Sequence, residues 1–232
     1  MQNQVVSREE WLKTRLDLLA AEKEFTRRRD DLTRRRMAMP WVQVEKDYRF
    51  EGPDGTRSLA ELFEGRSQLI VYHFMLGPDW EEGCTACSFW ADNFDGIPIH
   101  LAHRDVTFTA VSRAPLARIE AYRTRMGWCF PWVSSHGSDF NFDYRVSFTP
   151  EQIAAGDADY NYGGRQSTGE ELVGISVFFR NDRDEVFHTY SCYGRGVEMV
   201  NGAYHWLDLV PKGRDEDGLS FTMAWLRRHD RY

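Results

Sequence analysis

The chain has 232 residues, of which 42% are hydrophobic and 14% aromatic, with a formal net charge of −7. That much apolar material supplies a sizeable core and excludes a disordered chain. The acidic balance argues against a general nucleic-acid binder, although residues 1–40 hold ten Lys/Arg against seven Asp/Glu and so run against the trend.

Ser7-Arg8-Glu9-Glu10 has the form of a capping box and predicts a helix after it. Trp11, Leu18, Phe25 and Leu32 recur every seven residues, a narrow apolar stripe on a charged helix. The stripe docks either on the main domain or on a second copy, so a homodimer through this helix is one expectation. The triplets Arg27-Arg28-Arg29 and Arg34-Arg35-Arg36 have no interleaved aromatics and read as a solvated face rather than an RNA site. Pro40 ends the segment, which divides the chain into a helical extension, 1–40, and a main domain, 41–232.

In the main domain, 41–44 and 48–50 read as short strands, with a turn at 51–55. Residues 58–63 read as a capped helical turn. The apolar run 68–76 reads as a central strand buried on both faces. Gly77-Pro78 breaks it, and 84–93 can be helical. A strand at 105–111, a helix at 115–126 stopped by Gly127, and a short extended piece at 130–133 follow. Residues 147–170 are polar and read as an inserted loop. Residues 173–179 and 185–190 flank Asn181-Asp182-Arg183-Asp184 as a hairpin, and 219–228 reads as a terminal helix. Strand, helix, strand and late hairpin make an α/β domain with a mixed sheet.

Cys84-Thr85-Ala86-Cys87 falls after the buried strand, where a helix begins. Free amides and the helix dipole stabilise a thiolate there. Cys84 is the expected nucleophile. Cys87, one turn on and on the same helix face, is the expected resolving thiol. Trp80 can form an apolar wall for a docked partner, whereas Glu81 and Glu82 work against a very low Cys84 pKa. The plain alternative is a pair of buried, unreactive cysteines. A structural zinc site needs four ligands and usually a second C-x-x-C or a close His pair; Cys129 and Cys192 are single, and although His100 and His103 could contribute a ligand pair if folding gathered the groups, no metal is expected. Cys129 and Cys192 read as small core residues. His73 either tunes Cys84 or is a hydrogen-bonded core residue, the second being the expectation. Arg113 follows the second strand and either holds an anionic substrate or a thiolate, or forms an ion pair.

The stretch from Gly77 through Gly83-Cys84-Thr85-Ala86-Cys87 to Trp90 resembles a bacterial family of unknown function (domain of unknown function 899) in the thioredoxin/peroxiredoxin-like superfamily. So do Ala110-Val111-Ser112-Arg113-Ala114-Pro115, the segment 127–139, and Phe187-His188-Thr189-Tyr190. The resemblance implies a thioredoxin-like three-layer fold with a mixed central sheet, carrying the N-terminal helix and the insert at about 147–170. Two departures stand out. The peroxiredoxin pattern Pro-x-x-x-Thr/Ser-x-x-Cys, aligned on Cys84, meets Gly77 and Glu81. The thioredoxin cis-proline that shapes the substrate groove is matched by Glu171-Leu172-Val173-Gly174-Ile175, which holds no proline, so Gly174 stands at the expected groove.

The leading expectation is a cytoplasmic thiol-disulfide oxidoreductase with no dissociable cofactor and a protein or low-molecular-weight thiol or disulfide as partner, touching neither nucleic acid nor membrane. The alternatives are a thiol peroxidase and a non-catalytic thioredoxin-fold binding module that uses the N-terminal helix.

Overall fold

The structure, a computed structural model, describes residues 3–232. The chain divides into two compact units at Pro40/Trp41. The first is the helix α1 (Arg8–Met37). Its capping box forms: the Ser7 hydroxyl accepts from the Glu10 amide, and the Glu10 carboxylate accepts from the Ser7 amide at 3.0 Å. Acidic residues sit in its first turn and Arg34, Arg35 and Arg36 in its last, each favoured by the helix dipole. No residue of α1 is buried, and the stripe at Trp11, Leu18, Phe25 and Leu32 is exposed.

The second unit follows in chain order. The short strands β1 (Val42–Gln43), β2 (Arg49–Gly52) and β3 (Gly55–Ser58) come first, then β4 (Gln68–His73). Next are α2 (Thr85–Ala91), α3 (Ile97–Ala102), β5 (Val106–Ser112), α4 (Leu116–Met126) and β6 (Trp132–Ser134). After α5 (Phe140–Asp143) come α6 (Pro150–Ala155), β7 (Asp159–Tyr160) and β8 (Arg165–Gln166). β9 (Gly174–Arg180), β10 (Val186–Tyr193) and α7 (Gly202–Leu207) complete the regular elements. The main sheet runs β1-β10-β9-β4-β5-β6-β2-β3. β4 pairs parallel with β5 and antiparallel with β9, which forms the hairpin with β10. A central strand, a crossover to a parallel neighbour and an antiparallel hairpin on the other side make the thioredoxin-like arrangement with a mixed sheet.

Alternation along β4 builds the layers, because successive side chains point to opposite faces. Tyr72, with Phe74 just beyond the strand, joins Ala110, Trp132 and Ile175 under α2 and α4, which contribute Cys87, Trp90, Ile119 and Tyr122. Leu69 and Val71 join Val111, Val133 and Phe178 on the opposite face, under Leu62, Phe63, Phe140 and Tyr144. Each large apolar side chain buried this way contributes roughly 1.5–3 kcal/mol.

Three expectations change. Residues 147–170 are not a plain loop. They contain α6, started by a Thr149–Gln152 capping box, and the β7–β8 hairpin, and Val146, Phe148, Ala158 and Tyr160 form a small core with Tyr193. Residues 219–228 form turns instead of a helix. The chain wraps around the Glu216 carboxylate, which accepts from the Met223 amide at 2.9 Å and the Trp225 indole at 2.7 Å, and Met223 takes a left-handed φ of 70°. Cys129 is exposed rather than core. Asp95 accepts from its amide at 3.0 Å and from that of Phe130 at 3.1 Å, while the sulfur faces outward. Cys192 is buried, as read from the sequence.

Candidate functional site

The site begins where the chain leaves β4. The Cys84 amide donates to the Met75 carbonyl at 3.0 Å, which folds the connection back onto the strand end. Gly83 makes this possible. A Cβ there would lie 2.5 Å from the Phe74 ring and 2.7 Å from the Tyr122 ring, closer than any side chain tolerates. Cys84 then caps α2 with extended backbone, φ −51° and ψ 132°. It is half-buried and Cys87 is buried, and both are free thiols.

The Cys84 thiol is pulled down to about 6. The largest cause is a hydrogen bond from the Cys87 thiol; burial opposes it, and the amides of Cys87 and Ala86 and the charge of Arg228 add to it. Cys87 moves the other way. Burial pushes its thiol well above the ordinary range, and the neighbouring Cys84 pushes it further. One sulfur is therefore a thiolate at neutral pH and the other holds its proton, the division of labour a dithiol exchange site needs.

Arg228 organises the surroundings. Its Nη2 donates to the Gly83 carbonyl at 2.7 Å, its Nε to the Tyr122 hydroxyl at 3.0 Å, and its Nη1 pairs with Glu82 at 2.8 Å. Tyr122 and Ser88 share a 2.8 Å hydrogen bond, and the Ser88 hydroxyl donates to the Cys84 carbonyl at 2.9 Å. Glu82, expected to raise the Cys84 pKa, is paired with Arg125, Arg228 and Arg231, which together offset its charge.

The other sequence candidates lie as follows. Arg113 pairs with the buried Glu171 at 2.7 Å and stacks over Phe142 at 4.3 Å. Glu171 also accepts from Ser147 at 2.8 Å. The guanidinium acting on Cys84 is that of Arg228. Trp80 is partly exposed, packs its ring on Gly77, and lines a surface groove of about 560 Å³ with Pro150, Ile153 and Ala154 of the insert. Gly174 sits in register with His73 and Tyr193, and a Cβ on it would lie 2.7 Å from the Tyr193 ring. The Val173 carbonyl just before it accepts from the Tyr160 hydroxyl at 2.5 Å.

His73 is a buried, hydrogen-bonded core residue. Its Nε2 meets Ser176 Oγ at 2.8 Å, Ser176 meets Ser191 at 2.9 Å, and Ser191 meets His188 Nε2 at 2.7 Å. Burial, with a smaller contribution from His188, pushes its pKa down to about 3, so it stays neutral.

Beside Cys87 opens a cavity of about 460 Å³, lined by Tyr72, Trp90, Val173, Val197 and Met223, with Arg165 among its exposed residues. The Tyr72 hydroxyl is buried, has no nitrogen or oxygen partner, and faces Cys87. Sequence reading missed Arg228, Tyr72 and this cavity, because no periodicity or motif joins 228 to 84. Among the described residues, no three His, Cys, Asp or Glu side chains gather as a metal ion requires, and no helix is long and apolar enough to cross a membrane.

Several solved structures resemble the chain. Peroxiredoxin Q from Xanthomonas campestris is 12% identical, with 71% of this chain and 95% of that one covered and a TM-score of 0.45. Peroxidoxin BcpB from Mycobacterium tuberculosis is 12% identical, with 70% and 93% covered and a TM-score of 0.41. A PrxQ mutant from Xylella fastidiosa is 11% identical, with 72% and 94% covered and a TM-score of 0.43. No curated protein matches the sequence. The family described as "Bacterial protein of unknown function (DUF899)" matches residues 1–232. The chain belongs to that family, and its sheet has the thioredoxin-like arrangement.

Proposed function

We propose that the protein is a thiol-disulfide oxidoreductase working through Cys84 and Cys87. The observation that carries this reading is the asymmetric pair: a half-buried Cys84 sulfur that accepts hydrogen bonds from the Cys87 thiol and two amides, with Arg228 alongside. Cys84 attacks a substrate disulfide, and Cys87 gives up its proton and resolves the mixed disulfide. A thiolate with a pKa near 6 is almost fully formed at pH 7, yet less basic than an ordinary thiolate and a better leaving group. The partner is a thiol or disulfide compound, and no dissociable cofactor takes part in the exchange.

The test is to oxidise the reduced protein with glutathione disulfide and map its peptides. The expected product is a Cys84–Cys87 disulfide that a dithiol reverses. Both thiols remaining free under oxidation that modifies the exposed Cys129 would overturn the reading.

A further inference from the structure

The cavity beside Cys87 identifies the kind of disulfide this site takes. We infer that it binds the organic part of a low-molecular-weight disulfide, apolar or aromatic in body and carrying an anionic group. This rests on the dithiol reading above.

Three observations support it. The first is the shape and lining of the cavity. About 460 Å³, walled by Trp90, Val173, Val197 and Met223, is within the range of small-molecule sites, which are mostly apolar with a few convergent polar groups. Cys87 is in the wall and its thiol bonds the Cys84 sulfur, which lies behind it outside the lining, so a group held there sits on the Cys87 side of the pair. The second is the Tyr72 hydroxyl. It is buried in the same wall with the Cys87 thiol as its polar neighbour, so the cavity's polar end lies at the sulfur. The third is charge. Of the lining arginines, Arg195 pairs with Glu198 at 3.1 Å, and Arg214 pairs with Glu198 and with Asp208. Glu216 is occupied by Tyr204, Met223 and Trp225. Arg165, exposed on β8 of the insert, has no such carboxylate partner among the described residues and is suited to a ligand carboxylate.

The neighbouring backbone disfavours a polypeptide. The Val173 carbonyl, in the segment that the resemblance matches to the thioredoxin substrate groove, accepts from the Tyr160 hydroxyl, which itself accepts from the Gly194 amide at 2.6 Å, so the insert already engages that backbone.

The reaction balances without further reagents in the reducing direction. The Cys84 thiolate attacks one sulfur of R–S–S–R, forming Cys84–S–S–R and releasing R–S⁻, which takes a proton from solvent. Cys87 then attacks the Cys84 sulfur, forming the Cys84–Cys87 disulfide, and its proton leaves with the second R–SH. The protein loses two electrons and the substrate gains two. A cellular thiol reductant returns the protein to its dithiol form.

The experiment separates pocket from chemistry. The full chain carrying Cys84→Ser and Cys87→Ser is titrated calorimetrically with para-nitrobenzoate, an aromatic carboxylate that cannot undergo exchange. Saturable binding is expected, weakened about tenfold by Arg165→Glu, the scale of one charge-assisted contact. Val197→Trp, which fills the cavity, and Thr222→Trp, which narrows it from an exposed position, are each expected to abolish binding. Val197→Trp counts only if circular dichroism shows it folded, and Thr222→Trp provides the second reading. In parallel, the unmodified protein is assayed with the disulfide of thionitrobenzoate and with insulin as a protein disulfide. Faster turnover of the small disulfide, slowed by Thr222→Trp, supports the inference. Absence of para-nitrobenzoate binding to the folded double variant overturns the pocket assignment and leaves the dithiol reading intact. Binding without reduction of either disulfide overturns the dithiol reading and, with it, the substrate assignment.

Discussion

Arg228 Nη2 donates a 2.7 Å hydrogen bond to the carbonyl of Gly83, one residue before Cys84. The same guanidinium contributes to the low Cys84 pKa and anchors Glu82. Arg228→Ala should raise the Cys84 pKa from about 6 toward the ordinary thiol range. Arg228→Lys should restore part of the lowering, because lysine keeps the charge but loses the fork that spans Gly83, Tyr122 and Glu82. The pH dependence of iodoacetamide labelling at Cys84, followed by mass spectrometry, measures this. An unchanged labelling curve in Arg228→Ala would remove Arg228 from the site.

Cys84 also makes the stability of the reduced protein depend on pH. Its folded value of about 6 lies below the ordinary 9.0, so the unfolded chain binds more protons between the two. The contribution is fully present above pH 9 and is lost as pH falls through about 6. Cys87, raised by burial, acts in the opposite sense only above its ordinary value of 9.0. Urea unfolding of the reduced protein should therefore show stability relative to Cys84→Ser that rises from pH 6 to pH 9. A flat difference contradicts the assignment.

Gly83 immediately precedes Cys84, and Gly174 opens β9 in register with His73 and Tyr193. A methyl group at either would approach ring carbons at 2.5–2.7 Å. Gly83→Ala and Gly174→Ala should each cost roughly 1–3 kcal/mol, as overpacking does. Gly83→Ala should in addition disturb Cys84 labelling, because Phe74 and Tyr122 must move. Denaturant melts of both variants provide the check, and stability equal to the parent would show that the rings yield freely.

His73 adds an acid-sensitive component. Held at about 3 in the fold against an ordinary 6.5, it favours the unfolded, protonated chain as pH falls between those values. The loss is on the order of several kcal/mol, since each tenfold change in proton affinity is worth about 1.4 kcal/mol. His73→Gln should reduce this acid slope, whatever its effect on stability at neutral pH. Unfolding free energies from pH 7 down to pH 4 measure it, and an identical slope would exclude His73 as its source.

The elements that carry local signals were legible in the sequence. The apolar run 68–76, the break at Gly77-Pro78 and the helix start at Cys84 mark the strand-to-helix junction, though the strand itself stops at His73, and the Ser7–Glu10 pattern announces α1. The groups that set the chemistry of Cys84 were less accessible. Arg228 reaches Gly83 across a long stretch of sequence, held by pairing with Glu82 rather than by any periodic pattern. The turns at 219–228 depend on Glu216 gathering Tyr204, Met223 and Trp225, a tertiary cause that helix propensity cannot reveal. Cys129 was misplaced because its outward orientation is set by Asp95, which binds its backbone from another part of the chain.

The central claim, that Cys84 attacks and Cys87 resolves, is tested most directly by trapping. Reduced Cys87→Ser protein is exposed to hydroxyethyl disulfide and its intact mass and peptides are read, with Cys84→Ser treated in parallel. The account predicts a stable mixed disulfide on Cys84 in the first variant and an unmodified, buried Cys87 in the second. Capture by Cys87 in place of Cys84, or by neither while Cys129 is modified, would contradict it.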